Sequence, residues 1–415
     1  MSKKRSSFAE HIATTVAAQA SANAAPALSR KTALLFAFAC GLAVANIYFA
    51  QPLLSSISDE LGIAPSSIGA VITVTQLCYA LGLLLLVPLG DLMNRRTLIT
   101  SQMLLSVGAM LIVGFSTSSA ALFAGMAAVG LLAVVTQTLV AFAAALASPS
   151  QRGQIVGIVT SGIVMGILLA RTFAGILTDI AGWRSVYLAS AALTLIMAGA
   201  LYRILPRDRS AAQRDRLSYW QLLRSVLTLF VEERVLRVRA VLALLIFTAF
   251  SILWTSLVLP LSAPPFSLSH TAIGAFGLAG AAGALAAARA GRLADRGLGQ
   301  RTTGIALTVL LISWLAIGYA DQSLFPLIIG IILLDLAIQA VHVTNQSMIL
   351  SVRPEARSRL TAGYMIFYSI GSATGSIAST SIYAYAGWSG VCWLGAGVSA
   401  IALLFWAATR LPKFM

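Results

Sequence analysis

The loop Gly291-Arg292-Leu293-Ala294-Asp295-Arg296 stands between two long apolar runs, and Gly299 and Arg301 follow it directly. A related loop in the first part of the chain reads Pro88-Leu89-Gly90-Asp91 and continues to Arg95-Arg96. The two acidic residues are 295 − 91 = 204 positions apart. Because the same kind of loop stands at the same place relative to an apolar run, we infer an internal repeat.

Two further landmarks repeat at nearly the same distance. Arg152 precedes the fifth apolar run as Arg357 precedes the eleventh, and Gly182 follows the fifth as Gly387 follows the eleventh. Both distances are 205 positions, from 357 − 152 and from 387 − 182. The repeat predicts two related halves, and parallel halves of this kind carry a substrate at their shared interface and rock against each other.

The composition places the chain in a bilayer rather than in water. Of its 415 residues, 59% are hydrophobic and 10% are charged, which is far from the balance of a soluble domain. The net charge of +15 lies in the gaps between apolar runs, so we do not expect nucleic acid as a partner. The cysteines, Cys40, Cys78 and Cys392, all fall within apolar runs, and we expect neither a disulfide nor a metal site.

Twelve apolar runs have the length of membrane spans, which need about 20 apolar residues each. They lie at roughly 32–54, 67–89, 98–116, 120–147, 155–177, 185–205, 240–262, 272–290, 303–320, 324–350, 362–385 and 390–409. We therefore expect an all-α membrane protein with pseudo-symmetric six-helix bundles at 32–205 and 240–409. A cytoplasmic linker at 206–239 joins them, and the tails are 1–31 and 410–415.

The basic residues predict the orientation of the spans. One set of loops is rich in arginine, with nine arginines from Arg203 to Arg239, whereas the opposite loops are acidic and carry Arg184 as their only base. Basic loops face the cytoplasm, so we expect a multi-pass protein of the inner membrane with both termini inside. The linker carries Trp220 and Leu227 at helical spacing among arginines, which predicts an amphipathic helix on the membrane surface or a plain tether.

The two loops and the twelve spans resemble the major facilitator superfamily over essentially the whole chain. The loop from Gly291 to Arg296 is similar to the signature between that family's eighth and ninth helices, and the loop from Pro88 to Arg96 is similar to its first-half counterpart. Asn94 stands where glycine is usual in the first-half loop, and we expect it to adopt the left-handed backbone that asparagine tolerates.

The resemblance implies an inner-face charge latch that closes in one conformation and breaks in the other. Its members would be Asp91, Arg95, Arg96, Asp295, Arg296 and Arg301. Ordinary loop charges obeying the positive-inside rule are the plainer alternative.

The fifth span resembles that of the twelve-span drug:proton antiporters, with one departure. Small residues at about every fourth position, among them Gly162 and Gly166, form a face for tight helix packing. Where that branch carries a Gly-Pro pair, this chain has Ala170-Arg171. The fourth span also lacks an arginine, and Gln137 is its only strongly polar side chain. Protons, if coupled, must therefore be carried by other groups.

Two formally charged side chains fall well inside the predicted spans, Arg171 in the fifth and Asp335 in the tenth. A charge at that depth costs several kcal/mol unless it is paired. Their heights differ by about 8 Å at ~1.5 Å per residue, which an arginine side chain largely covers. We hypothesise an Arg171–Asp335 pair across the cavity that couples transport to protons, or else a static structural pair.

The tenth span carries a polar stripe that includes Asp335 and His342. Such a stripe cannot face lipid, because its polar groups would be left unsatisfied there. His342 is either a proton or substrate group or a hydrogen-bonded packing residue. The candidate cavity-lining residues, each of which is more often a packing residue than a contact, are Asn46, Tyr48, Gln51, Gln76, Gln137, Trp254, Gln339, Asn345, Gln346, Tyr364 and Tyr368.

These patterns favour a secondary active transporter that exports small amphipathic compounds in exchange for protons. The alternative is proton-coupled uptake of a small organic solute such as a siderophore or an organic anion, which Arg171 favours. We expect no enzyme activity, because the inner loops carry no nucleotide-binding loop, metal cluster or nucleophile triad. We expect no cofactor, the proton gradient as energy source, and a monomer without an obligate protein partner.

Overall fold

The computed structural model describes residues 29–148, 151–205, 218–286, 290, 293–320, 323–353 and 356–410. In these ranges the chain is helical apart from turns and short connections, and no strand is present. The expected all-α membrane fold is confirmed. The predicted tails, 1–31 and 410–415, lie almost entirely outside the described residues.

The first half runs from Arg30 to Ile204. Its helices are Arg30–Tyr48, Leu54–Leu61, Ala70–Leu85, Leu89–Leu92, Arg95–Gly114, Ser119–Leu132, Val135–Leu146, Arg152–Ala181 and Trp183–Ile204, with a 3-10 turn at Gln51–Leu53. The first span therefore continues beyond its expected end at residue 54, because the chain bends at Pro52 and then resumes as a helix. The fourth span is likewise two helices in succession.

The second half runs from Arg234 to Arg410. Its helices are Arg234–Ser256, Val258–Ser262, His270–Ala286, Gly299–Gly318, Leu324–Leu350 and Arg357–Arg410, with a π-helical turn at Ala294–Leu298. The last helix holds both the eleventh and the twelfth predicted span, and Gly387 breaks it with a φ of 62°. Nine helical stretches within the described residues are long and apolar enough to cross a membrane, whereas Ala70–Leu85 is apolar but shorter.

The linker forms a helix at Tyr219–Glu232. Its buried face consists of Leu222, Val226 and Leu229, while Trp220 and Leu227 are exposed. Trp220 and Leu227 therefore point away from the protein, and a neighbouring face packs on the eleventh span. A helix with two apolar faces suits a position between protein and membrane surface.

Asn94 starts the third span and shows how the first-half loop departs from the family pattern. It has an extended backbone, with φ −62° and ψ 117°, and its side chain accepts hydrogen bonds from the backbone N–H groups of Arg96 and Thr97. The expectation of a left-handed backbone at Asn94 is wrong. Asparagine replaces the usual glycine because it serves here as a helix N-cap.

Small residues hold the spans at close distance. A Cβ added at Gly162 would collide with the backbone of Ala37, and one added at Gly166 would collide with that of Gly41. At Gly175, further along the same helix, a Cβ would collide with the backbone of His270. The small-residue face of the fifth span thus packs on the first span and then on the eighth, as backbone-to-backbone packing in membranes requires.

Hydrogen bonds join the two halves in the parts of the spans that lie toward the predicted outer side. Thr73 donates to the carbonyl of Ala373 at 2.8 Å, and Thr172 donates to that of Gly274 at 3.1 Å. Thr380 donates to the carbonyl of Ser66 at 3.2 Å. The chain is therefore closed on this predicted outer side.

On the inner side the linker helix contacts the first half, since the hydroxyl of Tyr219 donates to the carbonyl of Leu85 at 2.9 Å. Arg95 donates to the carbonyl of Gly90 at 3.2 Å, and Arg96 donates to the carbonyl of Tyr202 and lies over its ring. Arg296 and Arg301 are exposed. The side chains of Asp91 and Asp295 lie outside the described part, so the inner latch stays a prediction.

Candidate functional site

Arg171 lies at the centre of the interface between the halves, where its side chain is 3% exposed. Its Nε donates to Oε1 of Gln51 at 2.9 Å. The guanidinium carbon lies 3.8 Å from the ring centroid of Trp254 and 5.5 Å from those of Tyr48 and Phe250. Its Nη2 is buried and has no hydrogen-bond partner. A buried cation is thus held by aromatic faces and one neutral acceptor.

Asp335 lies on the other side of the same tryptophan and is 4% exposed. Its Oδ1 accepts a hydrogen bond from Nε1 of Trp254 at 3.3 Å. A Cβ added at Gly280 would collide with Oδ2 of Asp335 and touch the Trp254 ring. The carboxylate therefore occupies a position that only a glycine in the eighth span leaves open.

A row of glycines in the eighth span places both charges. Gly274 and Gly277 face the fifth span, where added Cβ atoms would meet the backbone and side chain of Arg171. Gly280 and Gly283 face the tenth span around Asp335. Because the row lacks side chains, the fifth and tenth spans approach the eighth from both sides. Its spacing of three residues was readable in the sequence, although the contacts were not.

The hypothesised direct pair is not formed in this conformation. The ion pairs within the described residues do not join Arg171 to Asp335. Trp254 lies between them and offers its ring face to the cation and its N–H to the carboxylate. Both charges are buried, as a long apolar run implies, but the sequence could not show that an aromatic side chain from the seventh span separates them.

The bend in the first span brings two of the candidate cavity residues into this cluster. Gln51 begins the 3-10 turn in which Pro52 occupies an early position, and its buried amide faces Arg171. Tyr48 ends the preceding helix, and its hydroxyl contacts the hydroxyl of Tyr368 in the eleventh span. Proline removes a backbone donor and so favours the bend at this point. Both residues therefore lie at the interface between the halves.

His342 belongs to an aromatic group further along the tenth span. Its Nδ1 is 2.9 Å from the hydroxyl of Tyr364, and its ring centroid is 5.2 Å from that of Phe247. Phe247 also packs on Tyr368 at 3.9 Å between centroids. His342 is therefore linked to the central cluster through aromatic contacts, while Gln339 and Gln346 of the same helix are half-buried.

Three of the predicted cavity residues belong to other parts of the first half. Asn46 is buried inside the first bundle, where its Oδ1 accepts from Ser190 at 2.6 Å, so the expectation that it lines the cavity is wrong. Gln76 is 1% exposed, with an Oε1 that has no hydrogen-bond partner. Gln137 is half-buried in the fourth span. Asn46 serves to join the first and sixth spans.

Arg239 is a third buried charge, which the sequence did not predict, and it is 2% exposed. Its Nη1 donates to Oδ1 of Asn345 and to Oγ1 of Thr303, both at 3.2 Å. Because Arg239 ends a run of arginines, the sequence pattern places it in the linker. The predicted cavity residue Asn345 is therefore occupied within the second half, between the seventh, ninth and tenth spans.

A hydrogen-bonded group that the sequence also did not predict closes the outer side. His270, at the start of the eighth span, contacts Oγ of Ser56 through Nε2 at 2.7 Å and Oδ1 of Asp179 through Nδ1 at 3.0 Å. Asp179 also accepts the backbone N–H groups of His270 and Thr271 at 3.1 and 2.8 Å. Three spans from both halves meet here. In the sequence, the acidic outer loops indicate only the orientation of the spans.

The fold and the buried charges between its halves define a multi-pass membrane transporter. The chain belongs to the Major Facilitator Superfamily, whose family profile matches residues 34–303 and 240–413. Transporters of this family are not enzymes, and the expectation of no enzyme activity agrees with this membership.

Curated relatives extend over most of the chain. It is 50% identical over 379 residues to the putative uncharacterized transporter YgaY of Escherichia coli, covering 91% of this chain and 95% of that one. It is 31% identical over 376 residues to the probable transporter SCO4007 of Streptomyces coelicolor, covering 90% and 86%. These relatives support transport and leave the substrate open.

Solved structures share the fold. A bacterial homologue of the human lysosomal transporter Spinster, in an inward-facing and unoccupied conformation, matches with a TM-score of 0.72 at 15% identity, over 91% of this chain and 96% of that one. The nucleoside transporter NupG matches with a TM-score of 0.72 at 15% identity, over 92% and 100%. At such low identity, the likeness concerns the fold alone.

Proposed function

We propose that this protein is a proton-coupled secondary transporter of small amphipathic organic compounds in the cytoplasmic membrane, with Asp335 as the proton-binding group. One observation carries the proposal: Arg171 and Asp335 are both buried at the interface between the halves and share Trp254. Charges at this depth are costly and are retained for function.

The arrangement supports alternating access. Arg171 belongs to the first half, whereas Trp254 and Asp335 belong to the second, so rocking the halves apart breaks the Arg171–Trp254 contact and leaves Trp254–Asp335 intact. A ligand or proton that binds better after this separation shifts the equilibrium between the two conformations. The contact between Tyr48 and Tyr368 would break in the same movement.

Export in exchange for protons is the first candidate for the direction. The fifth span resembles that of the drug:proton antiporters in its small residues, which pack here on the first span at Gly162 and Gly166. A probable sugar efflux transporter of Mannheimia succiniciproducens is 21% identical over 384 residues, covering 92% of this chain. Both observations support an exporter, and neither identifies the transported compound.

Uptake together with protons is the second candidate, and Arg171 favours it. The residue replaces the proline of the antiporter pattern, and the ion pairs within the described part of the chain do not include its guanidinium. An anion bound there and a proton bound at Asp335 would leave the site neutral. Enclosing a neutral site between the two halves costs less than enclosing a charged one, because the protein interior has a low dielectric constant.

The test reconstitutes the purified chain in vesicles that contain a pH-sensitive dye and screens organic compounds for proton flux. Export by exchange moves protons against the solute, and uptake by symport moves both in the same direction. Asp335→Asn should abolish the flux, whereas Asp59→Asn, at an exposed carboxylate on the outer side, should retain it. Undiminished proton flux in Asp335→Asn would remove the proposed role of Asp335.

A further inference from the structure

We infer that Arg171 anchors a carboxylate, and that the transported compound is an organic acid with one carboxylate and a flat or flexible apolar body. The inference rests on the proposed transport function and adds to it the substrate class and the residue that recognises it. It is based on the guanidinium of Arg171, which is buried between the two halves and whose Nη2 donor has no hydrogen-bond partner.

Arg171 has a buried N–H donor, Nη2, that lacks a hydrogen-bond partner. A guanidinium has five N–H donors in a planar fork, and in the described structure the Nε donor of Arg171 is engaged by Gln51. Nη2 is buried without a partner, although buried donors are nearly always satisfied. A free, buried, cationic donor at the interface that opens during transport marks a binding position for an anionic acceptor.

The hydrogen-bond partner of Arg171, Gln51, is uncharged. Gln51 supplies a carboxamide oxygen where a structural ion pair would have a carboxylate, and the arginine is otherwise stabilised by ring faces. Charge-assisted hydrogen bonds to carboxylate are about twice as strong as neutral ones. A carboxylate ligand can therefore bind Arg171 without first displacing an acidic side chain.

The surroundings of Arg171 indicate the polarity of the rest of the ligand. Trp254, Tyr48 and Phe250 surround the guanidinium within 5.5 Å of their ring centroids, and Gly277 removes any side chain on the eighth-span side. Aromatic and backbone surfaces fit an apolar body. A phosphate or a sugar would need several more donors and acceptors than the residues around Arg171 offer.

Binding of an anion at Arg171 changes the charge balance around Asp335. Asp335 lies across Trp254 from Arg171, so the charges of the empty site balance. A carboxylate at Arg171 leaves the charge of Asp335 unbalanced, and a proton on Asp335 restores the balance. Anion binding and proton binding therefore favour one another, as linked equilibria must. This result supports the symport candidate over exchange.

The test measures ligand binding to the purified full chain by quenching of tryptophan fluorescence and by thermal stabilisation. The probes are benzoate, phenylacetate and octanoate, each compared with its own primary amide. We expect a carboxylate to bind at least about tenfold more tightly than its amide, because hydrogen bonds to charged groups are the stronger ones. Equal affinity for every acid and its amide would overturn the inference without any variant.

The variants give a second, independent measurement. Arg171→Gln should abolish the preference for acids, Arg171→Lys should retain part of it, and Arg224→Gln, at an exposed arginine of the linker helix, should leave it unchanged. A full preference for acids in folded Arg171→Gln would contradict the inference.

The inference and the proposed function fail separately. Absence of proton-coupled flux with acids, neutral compounds and cations would remove the transport proposal. Proton-coupled flux that is confined to neutral or cationic compounds, and that persists in Arg171→Gln, would leave the transport proposal standing and would remove only the carboxylate anchor.

Discussion

Trp254 lies between Arg171 and Asp335, the two buried charges at the interface between the halves. Its ring faces Arg171 and its N–H points to Asp335, so it connects the position of the first half to the proposed proton site of the second. A sequence cannot display this arrangement, because three spans contribute one residue each. The sequence shows only that Arg171, Trp254 and Asp335 each lie within an apolar run.

Replacing Trp254 by phenylalanine separates the two contacts. Trp254→Phe keeps an aromatic face for Arg171 but removes the donor to Asp335, so we expect a stability loss of only about 0.6 kcal/mol, as for one hydrogen bond within a membrane. Proton-coupled flux should nevertheless fall strongly. Thermal unfolding in detergent and dye-based flux measure the two effects, and Trp254→Ala should lower both. Full coupling in Trp254→Phe would contradict the bridging role.

Gly280 tests the placement of Asp335. In Gly280→Ala the new methyl group meets Oδ2 of Asp335 and the Trp254 ring, so we expect the carboxylate to move and transport to be lost. The matched control is Gly199→Ala in the sixth span, where an added Cβ meets nothing within 4 Å. Both proteins should reach the membrane at similar levels, and normal transport by Gly280→Ala would contradict the geometry.

Sequence reasoning succeeded with residues whose burial follows from a long apolar run. Arg171 and Asp335 were found because a charge inside such a run is costly and is seldom kept without a function. Arg239 was missed because it stands at the boundary of a basic linker, where one helical turn decides between water and protein. Asn46 was misplaced because the pattern shows that a polar group is buried but not which neighbour satisfies it.

The helix ends on the outer side carry the clearest connection between the halves. Ser56, Asp179 and His270 come from the first, fifth and eighth spans and meet in one hydrogen-bonded group. These contacts must break whenever the chain opens to the outside. They therefore stabilise the closed outer side seen here, together with the bond from Thr73 to Ala373.

Weakening this group should favour the outward-open conformation. Asp179→Asn loses the charge that accepts from His270 and from two backbone N–H groups. We expect faster labelling of Ala373→Cys, a position that is 2% exposed, by a membrane-impermeant maleimide in a background without the native cysteines. Asp59→Asn serves as the control, and unchanged labelling in Asp179→Asn would show that this group does not hold the outer side closed.

The elements themselves were largely predictable, because helix spans, breaks and small-residue faces are local features. The sequence predicted a packing face at Gly162 and Gly166, and this face is present. The glycine row of the eighth span was not predicted, since glycines at every third position become meaningful only when the neighbouring spans are known. For the same reason, the sequence did not predict which face of the linker helix packs on the eleventh span.

At the scale of the whole molecule, the apolar runs, the internal repeat and the resemblance of the inner loops to a known family were sufficient to predict the fold. The inner loops at Asp91 and Asp295 repeat at nearly constant distance, and the family membership agrees with that prediction. The buried charges of the candidate site, in contrast, are not repeated in the two halves. Arg171 belongs to the first half and Asp335 to the second, so the function depends on a contact that neither half contains alone.

The most direct test of the proposed coupling follows labelled substrate in reconstituted vesicles under two conditions, exchange at equal pH and accumulation driven by a proton gradient. If Asp335 couples protons to rocking of the halves, Asp335→Asn should still exchange substrate but should no longer accumulate it, whereas the wild type and Asp59→Asn should do both. Proton-driven accumulation by Asp335→Asn at the wild-type level would contradict the central claim.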